Sequence, residues 1–143
     1  MNDNLDIKEW VRFAQMDYDA AKNMSALFHP VPLEIVCFHC QQAAEKILKA
    51  YALANGESLI KTHDLSIILA QCKKHNQEFY NLDRIGIMLN DYAIAYKYPT
   101  KEDAVTEQDM NTALDNARKI LEFTKALLIT DVIDGKDAPD DIV

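Results

Sequence analysis

Only 3 glycines and 4 prolines interrupt this chain of 143 residues, and two of the prolines, Pro30 and Pro32, stand almost side by side. Short strands need turn residues between them, and this chain has too few to supply many. Long helices are what so unbroken a sequence can form. The length suits one domain of average size.

Hydrophobic spacing divides the chain into five helices. Trp10, Phe13, Ala14, Asp17, Ala21, Met24 and Phe28 recur at three- and four-residue intervals, the signature of one helix face. His29-Pro30-Val31-Pro32 stops that helix, because proline lacks a donor and restricts the residue before it. A second helix over about residues 33–54 carries Ile35, Phe38, Ala44, Ile47, Leu48, Tyr51 and Ala52, with Asn55-Gly56 as its C-terminal cap. It is apolar around most of its circumference, as a central helix should be.

Thr62 and Asp64 are candidate N-caps for a third helix bearing Leu65, Ile68, Leu69 and Cys72. A turn around residues 78–82 leads to a fourth, whose expected inward stripe is Ile85, Met88, Leu89, Tyr92 and Tyr96, ended by Lys97-Tyr98-Pro99. Thr106 and Asp109 form a capping box that opens a fifth, with Met110, Ala113, Leu114, Ala117, Ile120, Leu121, Thr124, Leu127 and Leu128 inward. The expected fold is all-α: a five-helix up-and-down antiparallel bundle over residues 1–130. Residues 131–143 read as a flexible acidic tail.

Against 15 lysines and arginines stand 23 acids, a net charge of −8, which disfavours non-specific grip on DNA or an anionic membrane. Half of that charge belongs to the tail, where Asp131, Asp134, Asp137, Asp140 and Asp141 face Lys136 alone. The bundle is less acidic than the total suggests, and a local cationic site remains open to it. No run of about 18 apolar residues is present, and the opening MNDNLDIKEW is polar, so the expected location is the cytoplasm. There the three cysteines are expected as free thiols. Cys37 and Cys40 with Cys72 and His75 formally offer four soft ligands. However, the first pair lies inside an apolar helix rather than on a knuckle, so neither a metal nor another cofactor is expected.

The densest polar cluster is Gln41-Gln42-Ala43-Ala44-Glu45-Lys46, followed by Lys49, in the middle of the second helix. Gln42 and Lys46 share one face, while Gln41, Glu45 and Lys49 form the adjoining ridge. Two readings are open: a solvated face with an ordinary Glu45–Lys49 pair, or a polar seam buried between helices or at a subunit contact. Asp17, an acid within an apolar stripe, favours the seam because Lys46 or Lys49 could neutralise it. His63, beside a helix N-terminus, suits either packing or contact with a ligand or subunit. Tyr92, Tyr96 and Tyr98 fit core packing with hydroxyls at the rim, or an aromatic wall for a base.

Taken in order, these elements resemble the HEPN domain family. The resemblance rests on Trp10-x3-Ala14-x2-Asp17-x3-Ala21, Phe38-x2-Gln41-Gln42-Ala43-Ala44-Glu45-Lys46-x2-Lys49-Ala50, Thr62-His63-x-Leu65, Leu89-Asn90-x-Tyr92 and Lys97-Tyr98-Pro99, across roughly residues 8–128. It implies a small helical bundle that commonly forms homodimers. In prokaryotes such proteins are often encoded beside a minimal nucleotidyltransferase, as toxin–antitoxin or related two-component systems. Many members are metal-independent endoribonucleases that use an arginine, four to six intervening residues and a histidine.

That motif is absent here. None of His29, His39, His63 and His75 follows Arg12, Arg84 or Arg118 at the required distance, and Lys97 stands where the family has the arginine of Arg-Tyr-Pro. Metal-free RNA cleavage needs an imidazole for proton transfer and a fixed guanidinium for the developing charge, and an ammonium lacks the bidentate fork. The expected function is therefore a non-catalytic interaction module that dimerises, partners a minimal nucleotidyltransferase and holds a nucleotide or RNA end. Asp17, Gln42, Lys46, His63, Asn90, Tyr92 and Lys97 are the expected groove or contact residues. A ribonuclease toxin with a divergent site is the rival.

Overall fold

The computed structural model describes residues 3–93 and 104–133, with side chains over 7–93 and 104–129. All five expected helices form: α1 (Asp3–Leu27), α2 (Leu33–Ala54), α3 (Leu65–Lys73), α4 (Asp83–Asn90) and α5 (Glu107–Ile133). Short 3-10 turns cover Gln77–Leu82 and Asp91–Ala93. No strand occurs among the described residues. Because α5 continues through Ile133, the first residues assigned to the tail are helical; 134–143 lie outside the described residues.

The long helices α1, α2 and α5 make the body, with α2 in the centre. Along α1 and α2 the contacts run in opposite order, from Trp10 with Lys49 to Asp17 with His39, so the two are antiparallel. An extended strap, residues 55–64, returns along α2 until Gln41 Nε2 donates to the carbonyl of His63 (2.9 Å). From there α3 descends to where Cys72 Sγ meets the Leu48 carbonyl, and α4 climbs back to the start of α3. α5 runs antiparallel to α1, with Tyr18 near Arg118 and Lys125 Nζ donating to Gln15 Oε1 (2.7 Å).

Burial follows the expected stripes on α3 and α5 and, apart from Ile35, on α2, with departures on α1 and α4. On α1 the buried positions are Ile7, Val11, Ala14 and Ala21, flanked by half-buried Trp10, Tyr18 and Met24. The stripe is rotated from the one expected, so Phe13 is exposed, as is Phe28 beyond the helix end. The fourth helix is shorter than expected: α4 stops at Asn90, Met88 is 43% exposed, and the inward positions are Gly86 and Leu89. Gly86 is needed there for close approach, since a Cβ would sit 2.8 Å from Leu69 Cδ1, inside the packed α3–α4 contact. Tyr96, the last member of the expected stripe, lies outside the described residues. Ile35, at the start of α2, is also exposed.

The caps are those the residue types dictate. Gly56 takes a left-handed φ of 85°, while Glu57 N–H donates to the Ala52 carbonyl and Gly56 N–H to that of Leu53, closing α2 in a Schellman motif. Thr106 and Asp109 exchange reciprocal bonds of 3.0 Å at the start of α5. Asp64 caps α3 through Ser66 N–H (2.9 Å), and Thr62 serves it by accepting from Asp64 N–H (3.0 Å). Asn90 then joins the free ends of α3 and α4: its Oδ1 accepts from Leu65 N–H and its Nδ2 donates to Asp64 Oδ1, both at 2.8 Å.

Two stability outcomes follow. Phe79 is fully buried between Tyr51 (centroids 4.7 Å apart) and Phe123 (5.2 Å), so Phe79→Ala should cost about 3–5 kcal/mol in urea unfolding. Hydrogen bonds from Ser66 and Asn90 hold the Asp64 carboxyl below the usual aspartate range. A depressed folded-state pKa stabilises above the unfolded pKa and is lost as pH falls through the folded one. Asp64→Ala should therefore cost about 1 kcal/mol at neutral pH, and its gap to the parent should close below about pH 4. A gap independent of pH would contradict this.

Candidate functional site

The polar stripe of α2 is a seam, and it contains two acid-centred clusters. In the first, α1 presents Asp17 to α2, where Lys46 Nζ reaches Oδ2 (2.5 Å) and His39 Nδ1 reaches Oδ1 (2.8 Å). His39 and Lys46 are two turns apart on one face of α2, so a single carboxylate from the neighbouring helix can serve both. Lys46 also lies 5.8 Å from the centroid of Phe13. Of the two lysines expected for Asp17, Lys46 is the one that pairs with it, and His39 is added; Lys49 goes to Glu45.

The second cluster surrounds Glu45, which is only 3% exposed. Lys49 Nζ donates to Oε2 (2.9 Å), one helical turn away, and is itself 8% exposed with Trp10 packed 5.6 Å from its ammonium. On Oε1 converge His63 Nδ1 (2.9 Å), Gln41 Nε2 (3.3 Å) and Gln42 Nε2 (3.5 Å). Gln42 Nε2 also donates to Gln41 Oε1 (2.7 Å), so both amides belong to one network. The Glu45–Lys49 pair is therefore buried rather than solvated. An ionised carboxylate accepts only, so His63 carries its proton on Nδ1 when neutral, and the ring's other nitrogen is left as an acceptor. The His63 side chain is 65% exposed.

The seven expected residues do not form one groove. Asp17 and Lys46 make the first cluster, and Gln42 and His63 belong to the second. Asn90 is used internally, as the clamp between α3 and α4. Tyr92 sits apart, half-buried; it hydrogen-bonds Cys37, and burial raises its hydroxyl to about 12. Its place is on a separate cavity between α4 and α5. Lys97 lies outside the described residues, as do Tyr98 and Pro99.

Sequence reasoning missed His39 as a partner of Asp17 and Glu45 as the centre of a network. The i, i+4 spacing gave the Glu45–Lys49 pair but carried no signal of its burial. A third carboxylate, Glu57, repeats the pattern at the strap's start, meeting His75 Nε2 (2.7 Å) and Lys74 Nζ (3.5 Å), with its carboxyl held below the usual range chiefly by His75. Burial pushes the thiols of Cys37 and Cys72 up to about 12 and that of Cys40 higher still, which makes them poor nucleophiles. Among the described residues, no group of three His, Cys, Asp or Glu side chains is placed to hold a metal ion.

Comparison with known proteins gives the family. The chain is similar to the crystal structure of TT1696 from Thermus thermophilus, with a TM-score of 0.72 and 25% identity, over 84% of this chain and 96% of that one. No curated protein matches it. The model of the HEPN domain matches residues 7–127, which take in all five helices from buried Ile7 to Leu127 on α5. The chain belongs to the HEPN domain family.

Proposed function

We propose that this chain is a non-catalytic interaction module. It pairs with a second copy and with a minimal nucleotidyltransferase, in the manner of a toxin–antitoxin couple, and takes a nucleotide or RNA end along the stripe of α2. One observation carries the non-catalytic part. Among the described residues no arginine meets a histidine: Arg12 is bound to Glu9 (2.8 Å), and Arg118 to Asp115 (2.6 Å) and Glu122 (3.0 Å). His39, His63 and His75 each meet a carboxylate instead. Arg12 and Arg118 are thus engaged apart from His39, His63 and His75, whereas metal-free RNA cleavage requires an imidazole and a guanidinium together.

The binding part is supported by what the stripe leaves accessible. Gln42, Lys46 and His39 are half-buried and the His63 side chain is exposed, so amide, ammonium and imidazole groups front the solvent in one band. Exposed Phe13 and Met16 on α1 border it with apolar surface, as a protein contact needs.

A divergent ribonuclease is the second reading, and one observation favours it. A buried carboxylate fixing one ring nitrogen of an exposed histidine, as Glu45 does for His63, is how a general base is oriented.

RNA cleavage and binding assays separate the two. The purified full chain should leave single-stranded RNA intact, run as a dimer by light scattering, and bind ATP or a short RNA with an affinity that Lys46→Ala lowers about tenfold, or about 1.4 kcal/mol. Cleavage abolished by His63→Ala would replace this reading with the second. A monomer that binds neither probe nor a nucleotidyltransferase would refute the module.

A further inference from the structure

The strap lies over the most polar part of the core. Among the described residues six polar or charged side chains are buried, and three of them, Gln41, Glu45 and Gln71, bond to it. Gln41 Nε2 donates to the carbonyl of His63 and Gln71 Nε2 to that of Ser58, both at 2.9 Å, while Glu45 Oε1 takes the His63 ring (2.9 Å). On the outside Leu59 and Ile60 are each 41% exposed, and Ser58 and Lys61 are exposed too. The strap is thus fastened by groups that water serves about as well, and lifting it uncovers two amides and a carboxylate rather than an apolar core.

The second observation is that both ends of this segment are secured without the contacts beneath it. On the near side the Schellman bonds to Ala52 and Leu53 close α2, and the Glu57 carboxylate is held by His75 (2.7 Å) and Lys74 (3.5 Å). On the far side Asp64 accepts from Ser66 N–H (2.9 Å) and from Asn90 Nδ2 (2.8 Å), and Asn90 also takes the Leu65 N–H. The Thr62 N–H donates to the Ile60 carbonyl (2.9 Å), a bond internal to the segment that travels with it.

We propose that the strap is a releasable latch: residues 58–63 leave α2 as one unit, uncovering Gln41, Glu45 and Gln71, while the five helices stay packed and capped. Water then serves Glu45 Oε1, and Lys49 keeps Oε2. Release also withdraws His63 from the α2 stripe, so the latch sets whether that stripe carries an imidazole or an open carboxylate oxygen. The closed and open states are populations of the free chain, and the proposal stands or falls without any ligand at the stripe.

The test is hydrogen exchange of the full chain by NMR, read at the side-chain amides of Gln41 and Gln71. Both donate to the strap from buried positions, so their protection measures how often it is open. The expected result is equal protection at the two amides, at least about a hundredfold below that of the slowest α2 backbone amides and insensitive to low urea, since little surface is exposed on release. His63→Ala should lower the protection of Gln71, at the opposite end of the strap, about tenfold, and Gln71→Ala that of Gln41 by a similar factor, with the slowest α2 amides unchanged. The His63 side chain is 65% exposed, so its removal keeps the fold, and the α2 amides verify this. Gln41 and Gln71 protected as strongly as the α2 backbone would overturn the proposal, because the strap would then leave only in global unfolding. An effect of His63→Ala confined to Gln41 would overturn it as well, by showing separate contacts rather than one unit.

Discussion

A buried carboxylate in the middle of the central helix determines how the smaller half of this protein is arranged. Stripped of water and unpaired, Glu45 would be prohibitive, and Lys49 alone satisfies only one of its oxygens. The other is completed by His63 together with Gln41 and Gln42, so the strap must reach α2 at that point. Its apolar residues do little to hold it, since Leu59 and Ile60 are both exposed. Polar contacts hold it instead: Glu57 with His75, Gln71 Nε2 with the Ser58 carbonyl, and Gln41 with the His63 carbonyl. Once His63 is fixed, Asp64 is positioned to cap α3, and Asn90 locks the end of α4 to the same point. The ion pair contributes less as net energy than as registration, because its attraction is largely spent on desolvation.

That dependence explains which elements were legible. α1, α2 and α5 bury a face over many turns, so their existence follows from spacing alone; α2 and α5 bury nearly the positions expected. α4 has 8 residues, too few for a stripe to declare its direction, and its closest inward approach is made by Gly86. A glycine that faces inward because a side chain will not fit is invisible to any count of apolar residues. The same count turned Met88 inward, whereas it is 43% exposed and lines the cavity between α4 and α5.

The sites were legible in proportion to how local they are. Asp17 announced its need for a cation because an acid in an apolar stripe is anomalous, and Lys46 was within the set of answers. His39 was not, since it lies 22 positions from Asp17 and two turns from Lys46, and nothing in the spacing joins the three. Asn116 gave no signal either. One asparagine on an amphipathic helix is ordinary, and nothing in its spacing marks this one as only 5% exposed.

Charge along the α2 stripe is balanced pair by pair. Along the stripe each acid holds a lysine of its own, Asp17 with Lys46 and Glu45 with Lys49, so the surface is locally neutral despite its density of ionised groups. On the proposed function, a phosphate arriving there would have to share Lys46 with a carboxylate already at 2.5 Å. Such recognition neutralises few phosphates and releases few counterions, which favours the end of a nucleic acid or a single nucleotide over a long strand.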